Sequence, residues 1–348
     1  MVPQARFADL PFLQIHQRLI SFPSVNVGAG LNTDEQSSDS GGVSGTLREG
    51  RFDGYHAIPK QTHTMKPGRL HPAAIVTGAC GGTWLGGVKR WVVRHLYNHL
   101  AHAYPIDSWT TMNYGYAPLE GEPAFAAVPG ENSERYALNL YWRVATMGRH
   151  GVKLRGLDVV EIGSGRGGGA AFLAAALAPR CMIGVDIAET ATRLAKRRYG
   201  AGAHLQFRTG DAENLSLDDS SVDVAINIES AHCYASMPRF LNEVARILRQ
   251  DGELLFAGFA ARRGGAYDRL VAALGGGSLR LKRLDDITSN VVRSLAADEA
   301  RKRAFIETNV AGPMKNFALG AYAMEGSNMR RALEGSQTAY IAAVLRKP

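Results

Sequence analysis

The sequence predicts an α/β fold in which helices cover a mostly parallel β-sheet. Three observations support it. Between residues 151 and 260, short apolar runs alternate with helical patterns, five such runs fit within about 100 residues, and a glycine-rich turn follows the first run. Parallel strands joined through helices form right-handed crossovers, which place all carboxyl ends at one edge of the sheet. We therefore expect the chemistry of the protein at that edge.

The strand and helix patterns give the following order. Strands are predicted over 157–162, 181–185, 205–208, 222–228 and 253–257. Helices are predicted over 169–177, 188–198 and 240–248, with upstream helices over 86–103 and from residue 132 or 133. Downstream, two helices near 285–298 and 299–311 precede a tail, 336–345, which predicts a strand able to pair at the sheet edge.

Composition divides the chain into three segments. Residues 1–85 are rich in Ser, Gly and Asn and lack periodicity. This predicts a disordered or weakly ordered extension, because such a segment buries too little apolar surface to offset its ordering entropy. Met65 offers an internal start, so native translation of the first 64 residues is left open. Residues 86–150 are predicted to form a helical lid on the acceptor side. Residues 151–348 are predicted to form the main domain.

Charge and cysteine content narrow the class of protein. A net charge of +8 comes without a block of like charges, so no nucleic-acid partner is expected. Cys80, Cys181 and Cys233 show neither disulfide nor zinc spacing, and no metal site and a reducing cytoplasm are expected. No signal peptide or membrane span is predicted. The basic residues of 262–303 predict solvated helix faces, with an anionic membrane surface or substrate as the alternative.

The glycine-rich turn reads EIGSGRGGG over residues 161–169. Glycines permit a tight turn and let a ligand touch bare backbone where a helix begins. The same letters satisfy the dinucleotide pattern, so a nicotinamide dinucleotide and a purely structural turn remain alternatives. The ligand-binding residues predicted in this turn are Gly163, Ser164, Gly165 and Gly167.

Acidic residues stand at the ends of three successive strands. Glu161 can face a cationic amino group, whereas it would repel a pyrophosphate. Asp186 can accept hydrogen bonds from two ribose hydroxyls in either kind of ligand. Asp211 can accept from an adenine amino group. Together these positions favour S-adenosylmethionine (SAM) over a dinucleotide. The predicted cofactor-binding set also includes Ile187, Ala212, Glu213, Asn227 and Glu229.

The motifs resemble those of class I SAM-dependent methyltransferases over about residues 107–348. The matching stretches are VVEIGSGRGGG, VDIAE, GDAENLSLDDSSVDVAINIESAHCY and FLNEVARILRQDGELLFAGF. More narrowly, NYGY, YWRVAT and LEGSQTAY are similar to the mycobacterial phthiotriolone and phenolphthiotriolone dimycocerosates methyltransferases. The resemblance implies a Rossmann-like seven-stranded sheet, SAM as cofactor, and O-methylation of a hydroxyl on a polyketide lipid or glycolipid. Peripheral contact with the inner membrane and the oligomeric state stay open.

His232 is predicted as the catalytic base. An attacking alcohol must lose its proton, and an imidazole has a suitable intrinsic pKa. His232 lies three residues after Glu229, beyond the fourth strand, where the sheet edge faces the methyl group of the donor. Similar enzymes often place an acid after the fifth strand, and here Gly258 stands there, so His232 has no evident orienting carboxylate. Glu229 is assigned to the methionine end or to anchoring its loop.

Three other functions remain open at this point. The first is methylation of a sugar hydroxyl or of carbon. The second is a non-methylating protein of the SAM fold, which the missing acid at Gly258 keeps open. The third is a nicotinamide-dependent oxidoreductase, against which Glu161 and the GDAENL stretch argue.

Overall fold

A seven-stranded sheet carries the site. The structure, a computed structural model, describes residues 83–123, 125, 133–200, 202–312 and 314–348. The strands are β1 Asp158–Ile162, β2 Cys181–Asp186, β3 Leu205–Thr209, β4 Val222–Ile228, β5 Leu248–Ala261, β6 Arg280–Asp286 and β7 Thr338–Arg346. The helices are α1 Thr83–Ala103, α2 Arg135–Ala145, α3 Gly168–Leu177, α4 Glu189–Tyr199, α5 Met237–Ile247, α6 Ala266–Gly275, α7 Thr288–Ala297, α8 Glu299–Asn309, α9 Met314–Ala321 and α10 Asn328–Glu334.

The strand order is β3-β2-β1-β4-β5-β7-β6. The first five strands in this order are parallel, and β7 runs antiparallel to both of its neighbours. This confirms the predicted seven-stranded, mostly parallel sheet. The predicted disordered extension over residues 1–85 lies outside the described residues, apart from 83–85, which begin α1.

The tail strand lies inside the sheet rather than at its edge. Strand β7 pairs with β5 on one side and with β6 on the other, and nearly all of its residues are buried. An apolar run such as TAYIAAVL is stable only with neighbours on both sides and layers above and below. The edge strand on this side of the sheet is β6, whose sequence RLKRLDD is too polar to have predicted a buried strand.

Strand β5 also begins earlier than predicted. Its pairing with β4 jumps from Val222–Leu248 to Val224–Glu253, so the predicted turn over 250–252 is an irregular excursion within the strand. Asp251 at its tip has a φ of 61°. The polar letters of this segment indicate the turn correctly, but not that pairing resumes on both sides of it.

Helices α1 and α2 cover the sheet's carboxyl edge and one face. Helix α1 packs on α4 through Tyr97, Ala101 and Leu194. The lid predicted over 86–150 therefore lies partly in α1, which begins at Thr83. Within the described ranges, no helix is long and apolar enough to cross a bilayer.

The basic segment 262–303 is not uniformly a solvated face. Arg262 and Arg303 form surface ion pairs with Asp286 and Glu299, each at 2.6 Å. Lys302, by contrast, is 3% exposed and lies 3.7 Å from Asp298. Periodicity alone could not separate this buried lysine from its exposed neighbours.

Phe240 tests the packing of α5 against the sheet. Its side chain is fully buried, so Phe240→Ala is expected to lower the free energy of unfolding by roughly 3–5 kcal/mol through lost burial and a cavity. Urea unfolding measures this change. Val152→Ala, at a side chain 55% exposed, is the control and should change it by less than about 0.5 kcal/mol. A loss below about 1 kcal/mol for Phe240→Ala would contradict the packing described.

Candidate active site

The turn between β1 and α3 is pinned to the neighbouring strand. The backbone N–H groups of Gly163 and Ser164 both donate to the carbonyl of Val185, at 2.7 and 3.0 Å. Gly163 has a φ of 81°, and a Cβ there would lie 2.3 Å from the Ser230 hydroxyl oxygen. Only glycine fits this position, because it needs both left-handed backbone and the missing side chain. The turn thus presents bare backbone at the carboxyl edge of the sheet.

Asp186 ties this turn to the start of α4. One carboxylate oxygen accepts from the N–H of Gly165 at 2.8 Å, and the other accepts from the N–H of Ala188 at 2.8 Å. Burial raises the pKa of Asp186. Each carboxylate oxygen has a further lone pair, so this side chain can still accept hydrogen bonds from a ligand.

Glu161 is a buried carboxyl with one oxygen unsatisfied. It is 1% exposed, Oε1 accepts from the hydroxyl of Tyr141 at 2.8 Å, and Oε2 is buried without a partner. Burial raises the pKa of Glu161 to about 8. A buried acceptor without a donor is costly. An ammonium group of a ligand would satisfy it, and the Ser164 hydroxyl beside it is also buried without a partner.

The acidic residues after β3 attach helix α1 to the site. Arg90 of α1 donates to Glu213 Oε2 at 3.2 Å and lies 3.8 Å from Asp211. Glu213 Oε1 accepts from the backbone N–H groups of Ala235 and Ser236, at 2.7 and 3.1 Å. Helix α1 therefore forms one wall of the site.

These elements line a cleft, here called the narrow cleft, with about 900 Å³ of space between its walls, part of it open to solvent. Most of the residues predicted to bind a cofactor line it. They are Gly163, Ser164, Gly165, Asp186, Ile187, Asp211, Ala212, Glu213 and Glu229.

Three predicted residues do not line the narrow cleft. Glu161 lies behind Tyr141, which does line it. A Cβ on Gly167 would lie 2.6 Å from the Phe207 ring, so this glycine lets α3 pack on the sheet. Asn227 is fully buried and donates to the carbonyl of Ile162 at 2.9 Å. These residues shape the site from behind.

A second, larger space, here called the wide cavity, adjoins the narrow cleft. It has about 2400 Å³ of space between its walls, part of it open to solvent. Both spaces are lined by Tyr97, Met112, Asn113 and Glu229. Most of its other walls come from α1 and from the segment 305–329. Its apolar lining includes Leu96, Leu100, Trp109, Phe259, Phe305, Val310, Met314, Phe317, Leu319 and Met329.

His232 lines the wide cavity and not the narrow cleft. Its ring lies 4.9 Å from the Phe259 ring, and in the described part of the chain no hydrogen bond holds it. Burial, and then the positive charge of Lys89, lower the pKa of His232 to about 4. Gly258, where an orienting acid was expected, pairs with Ile341 inside the sheet. His232 remains a predicted base, and one that is neutral and weakly basic at pH 7.

Glu229 lies where the two spaces meet. Its Oε1 accepts from the Tyr114 N–H at 2.8 Å and from the Tyr340 hydroxyl at 2.7 Å. Burial raises the pKa of Glu229 to about 7. The sequence assigned Glu229 to the methionine end or to anchoring its loop. It did not predict that Glu229 also lines the wide cavity.

Some residues of the site were not predicted. Arg166 is 2% exposed, its guanidinium lies 3.8 Å above the Trp109 ring, and it donates to the carbonyl of Tyr104 at 2.8 Å. Its place inside a glycine-rich turn was a usable signal. No sequence signal pointed to Tyr340 or Lys302. Tyr340 lies in an apolar strand, and Lys302 lies in a charged helix.

Comparison with known proteins agrees with this geometry. A family model described as a methyltransferase domain matches residues 160–256. A phthiotriol/phenolphthiotriol dimycocerosates methyltransferase of Mycobacterium leprae (strain TN) is 33% identical over 255 residues, which are 72% of this chain and 89% of that protein. A fatty-acid O-methyltransferase of Mycolicibacterium smegmatis is 34% identical over 163 residues, 46% of this chain and 57% of that protein.

Solved structures share the fold. The [4+2]-cyclase SpnF is 18% identical with a TM-score of 0.58, covering 74% of this chain and 97% of that one. A geranyl diphosphate C-methyltransferase from Streptomyces coelicolor A3(2), solved with S-adenosyl-L-homocysteine, is 16% identical with a TM-score of 0.55, covering 75% and 98%. At these identities the likeness establishes the fold alone.

The fold, the narrow cleft and the family model together define a SAM-dependent methyltransferase, with SAM as its cofactor. The unsatisfied oxygen of Glu161 and the bare backbone at Gly163 fit the cationic amino-acid end of that cofactor. Within this class, the chain belongs to the family of phthiotriol/phenolphthiotriol dimycocerosates methyltransferases.

Asp186→Ala is expected to weaken SAM binding roughly 10- to 150-fold, because hydrogen bonds to a charged group contribute about 1.5–3 kcal/mol. Isothermal titration calorimetry measures the dissociation constant. Asp268→Ala, at an exposed position of α6, is the matched control and should bind SAM as the wild type does. Unchanged affinity in Asp186→Ala would remove this carboxylate from the site.

Glu161→Gln is expected to stabilise the free protein and to weaken SAM binding. The pKa of Glu161 is about 8 in the folded chain against an ordinary 4.5, so the folded state holds its proton more tightly. The wild type therefore loses stability as pH rises from about 4.5 to 8, and glutamine does not titrate. Thermal unfolding at several pH values should show an advantage of Glu161→Gln that grows over this window by up to about 5 kcal/mol, since one pKa unit corresponds to about 1.4 kcal/mol. A gap that narrows with pH would contradict the assignment.

Proposed function

We propose that this protein transfers the methyl group of SAM to a hydroxyl of a long-chain polyketide lipid or a related glycolipid. The observation that carries the proposal is the wide cavity: it is mostly apolar, much larger than the narrow cleft, and shares Glu229 with it as a lining residue. A cavity lined by leucine, methionine and phenylalanine side chains favours an alkyl chain, because burying apolar surface is the main source of such affinity.

The relatives support a lipid acceptor. Their names specify phthiotriol and phenolphthiotriol dimycocerosates for the relatives that cover most of this chain, and a fatty acid for one that covers about half. The first names are those of hydroxylated lipids and the second is that of an O-methyltransferase. Both are consistent with oxygen as the methylated atom.

The narrow cleft would hold SAM through residues with separate tasks. Gly163 and Ser164 would contact the amino-acid end beside Glu161, Asp186 would accept from the ribose, and Asp211 would accept from adenine. When bound, SAM supplies an electrophilic methyl group. The chain itself has to align the acceptor hydroxyl, exclude water and take up the proton.

The walls that exclude water are aromatic. The ring centroids of Tyr114 and Phe259 lie 5.6 Å apart and those of Phe259 and Tyr340 lie 6.2 Å apart, and the Tyr340 hydroxyl donates to Glu229. Helix α1 lines both spaces and is tied to the site by the ion pair of Arg90 and Glu213. An acceptor whose hydroxyl lies beside Glu229 would leave its chain in the wide cavity.

The proposal also places the protein in the cytoplasm, at the inner face of the membrane. Helix α1 lines both spaces and exposes Val88 and Trp91 on its outer side, 47% and 44% exposed. Exposed apolar side chains on a helix that lines both spaces favour contact with a lipid surface.

Labelled methyl transfer tests the function. Purified protein is incubated with methyl-labelled SAM and a lipid extract from source cells that lack the enzyme. Label recovered in lipid as a methyl ether, identified by mass spectrometry, is the expected result. Label on carbon, label in a water-soluble sugar, or no label despite measured SAM binding would each overturn the proposal.

Filling the wide cavity should penalise long acceptors only. Leu100→Trp, in the apolar lining, is expected to raise KM for stearyl alcohol roughly tenfold while leaving the KM for octyl alcohol and SAM affinity unchanged, since overpacking costs about 1–3 kcal/mol. Val152→Trp, at an exposed site, is the matched control. Equal effects on both alcohols would place the alkyl chain elsewhere.

A further inference from the structure

Glu229 is the charged residue that lines both the narrow cleft and the wide cavity. It follows β4 directly, at the carboxyl edge of the sheet. A group taking part in transfer between ligands in these two spaces has to lie at their junction, since reacting atoms must approach to about 3–3.5 Å.

The carboxyl group is held by one oxygen and open at the other. Oε1 accepts from the Tyr114 N–H at 2.8 Å and from the Tyr340 hydroxyl at 2.7 Å. Oε2 has no hydrogen-bond partner among the described residues. It also does not belong to the fully buried side-chain atoms that lack a partner, so part of its surface is exposed. It therefore stays accessible, with its orientation fixed by the bonds to Oε1.

The backbone at Glu229 is strained. Its φ is 48°, in the left-handed region that a glutamate rarely adopts, and its N–H donates to the carbonyl of Ala257 at 2.9 Å. Such strain persists where the surroundings impose it, and it is concentrated at functional sites. The strained conformation occurs at the residue that lines both spaces.

The groups around Glu229 keep the pKa of its carboxyl group near 7. Burial raises its pKa to about 7, while the Tyr114 N–H, the Tyr340 hydroxyl and the positive charge of Lys302 lower it. The negative charge of Glu229 also contributes to raising the pKa of Tyr141. A base with a pKa near the working pH is the most effective, because it is ionised and still holds a proton well.

His232 lacks these properties. It lines the wide cavity only, its ring packs against Phe259, and within the described ranges no hydrogen bond orients it. Its pKa of about 4 makes it a weaker proton acceptor than Glu229 at pH 7.

We infer that Glu229, through Oε2, is the base that takes the proton of the acceptor hydroxyl, with Tyr340 and Tyr114 as positioning residues. This rests on the proposed function. The acceptor oxygen forms its bond to the methyl carbon, and the carbon–sulfur bond breaks with its electron pair remaining on sulfur. The hydroxyl proton passes to Oε2, so the products are a methyl ether, S-adenosylhomocysteine and a protonated Glu229, which then loses its proton to solvent.

The test compares variants of the full chain with stearyl alcohol as the acceptor. Glu229→Gln is expected to lower kcat roughly 10²–10⁴-fold, the usual range for loss of a general base, with SAM affinity by calorimetry within about threefold of the wild type. The wild-type kcat should rise with pH through an inflection near 7 that Glu229→Gln lacks. His232→Phe, whatever its turnover, should keep the inflection.

Tyr340→Phe gives a second measurement in case Glu229→Gln does not fold. Removing the Tyr340 hydroxyl removes a donor that lowers the pKa of Glu229, so the inflection should move to higher pH. Infrared titration of the carboxyl band follows the same group without any acceptor. That band should titrate near neutral pH in the wild type, shift upward in Tyr340→Phe and be absent in Glu229→Gln.

Wild-type methylation of stearyl alcohol reports on the proposed function, and only the differences among variants report on Glu229. Wild-type turnover in Glu229→Gln would overturn the inference, as would loss of the inflection in His232→Phe with its retention in Glu229→Gln. If the wild type does not methylate this alcohol, the infrared titration decides. The absence of a band near neutral pH that depends on Glu229 overturns the inference.

Discussion

The burial of carboxyl groups at one edge of the sheet is the constraint on which the site depends. Glu161 lies one residue before the end of β1, Asp186 ends β2 and Glu229 follows β4, and burial raises the pKa of each. Leaving charged oxygens in such a place is unfavourable unless donors or a cation satisfy them. Backbone N–H groups of the glycine turn, of the residue before α4 and of Tyr114, together with the hydroxyls of Tyr141 and Tyr340, provide part of that satisfaction, and a cationic cofactor fits the remainder.

The three carboxyl groups are satisfied to different degrees, and this separates their roles. Asp186 has a backbone donor on each oxygen, so it shapes the loop as well as the ligand site. Glu161 has one donor and one enclosed oxygen, an arrangement suited to a ligand cation. Glu229 has two donors on one oxygen and an accessible second oxygen, an arrangement suited to taking up a proton.

The C-methyltransferase and cyclase structures share the fold of this chain. Most walls of the wide cavity come from α1 and from the segment 305–329, outside the stretch that the family model matches. In the proposed function, the choice of acceptor would therefore depend on walls added to a shared sheet rather than on the sheet itself.

The sequence by itself determined the order of strands and helices over residues 157–257, the glycine turn and the acidic ends of β1 and β2, because these depend on local periodicity and on residue type. Only the tertiary structure decided that β7 lies inside the sheet, that Lys302 is buried, and that Tyr340 reaches Glu229 across 111 positions of the chain. It also separated His232 from the narrow cleft and placed Glu229 between the two spaces. Those outcomes depend on contacts between residues far apart in the chain, and no local pattern of letters encodes them.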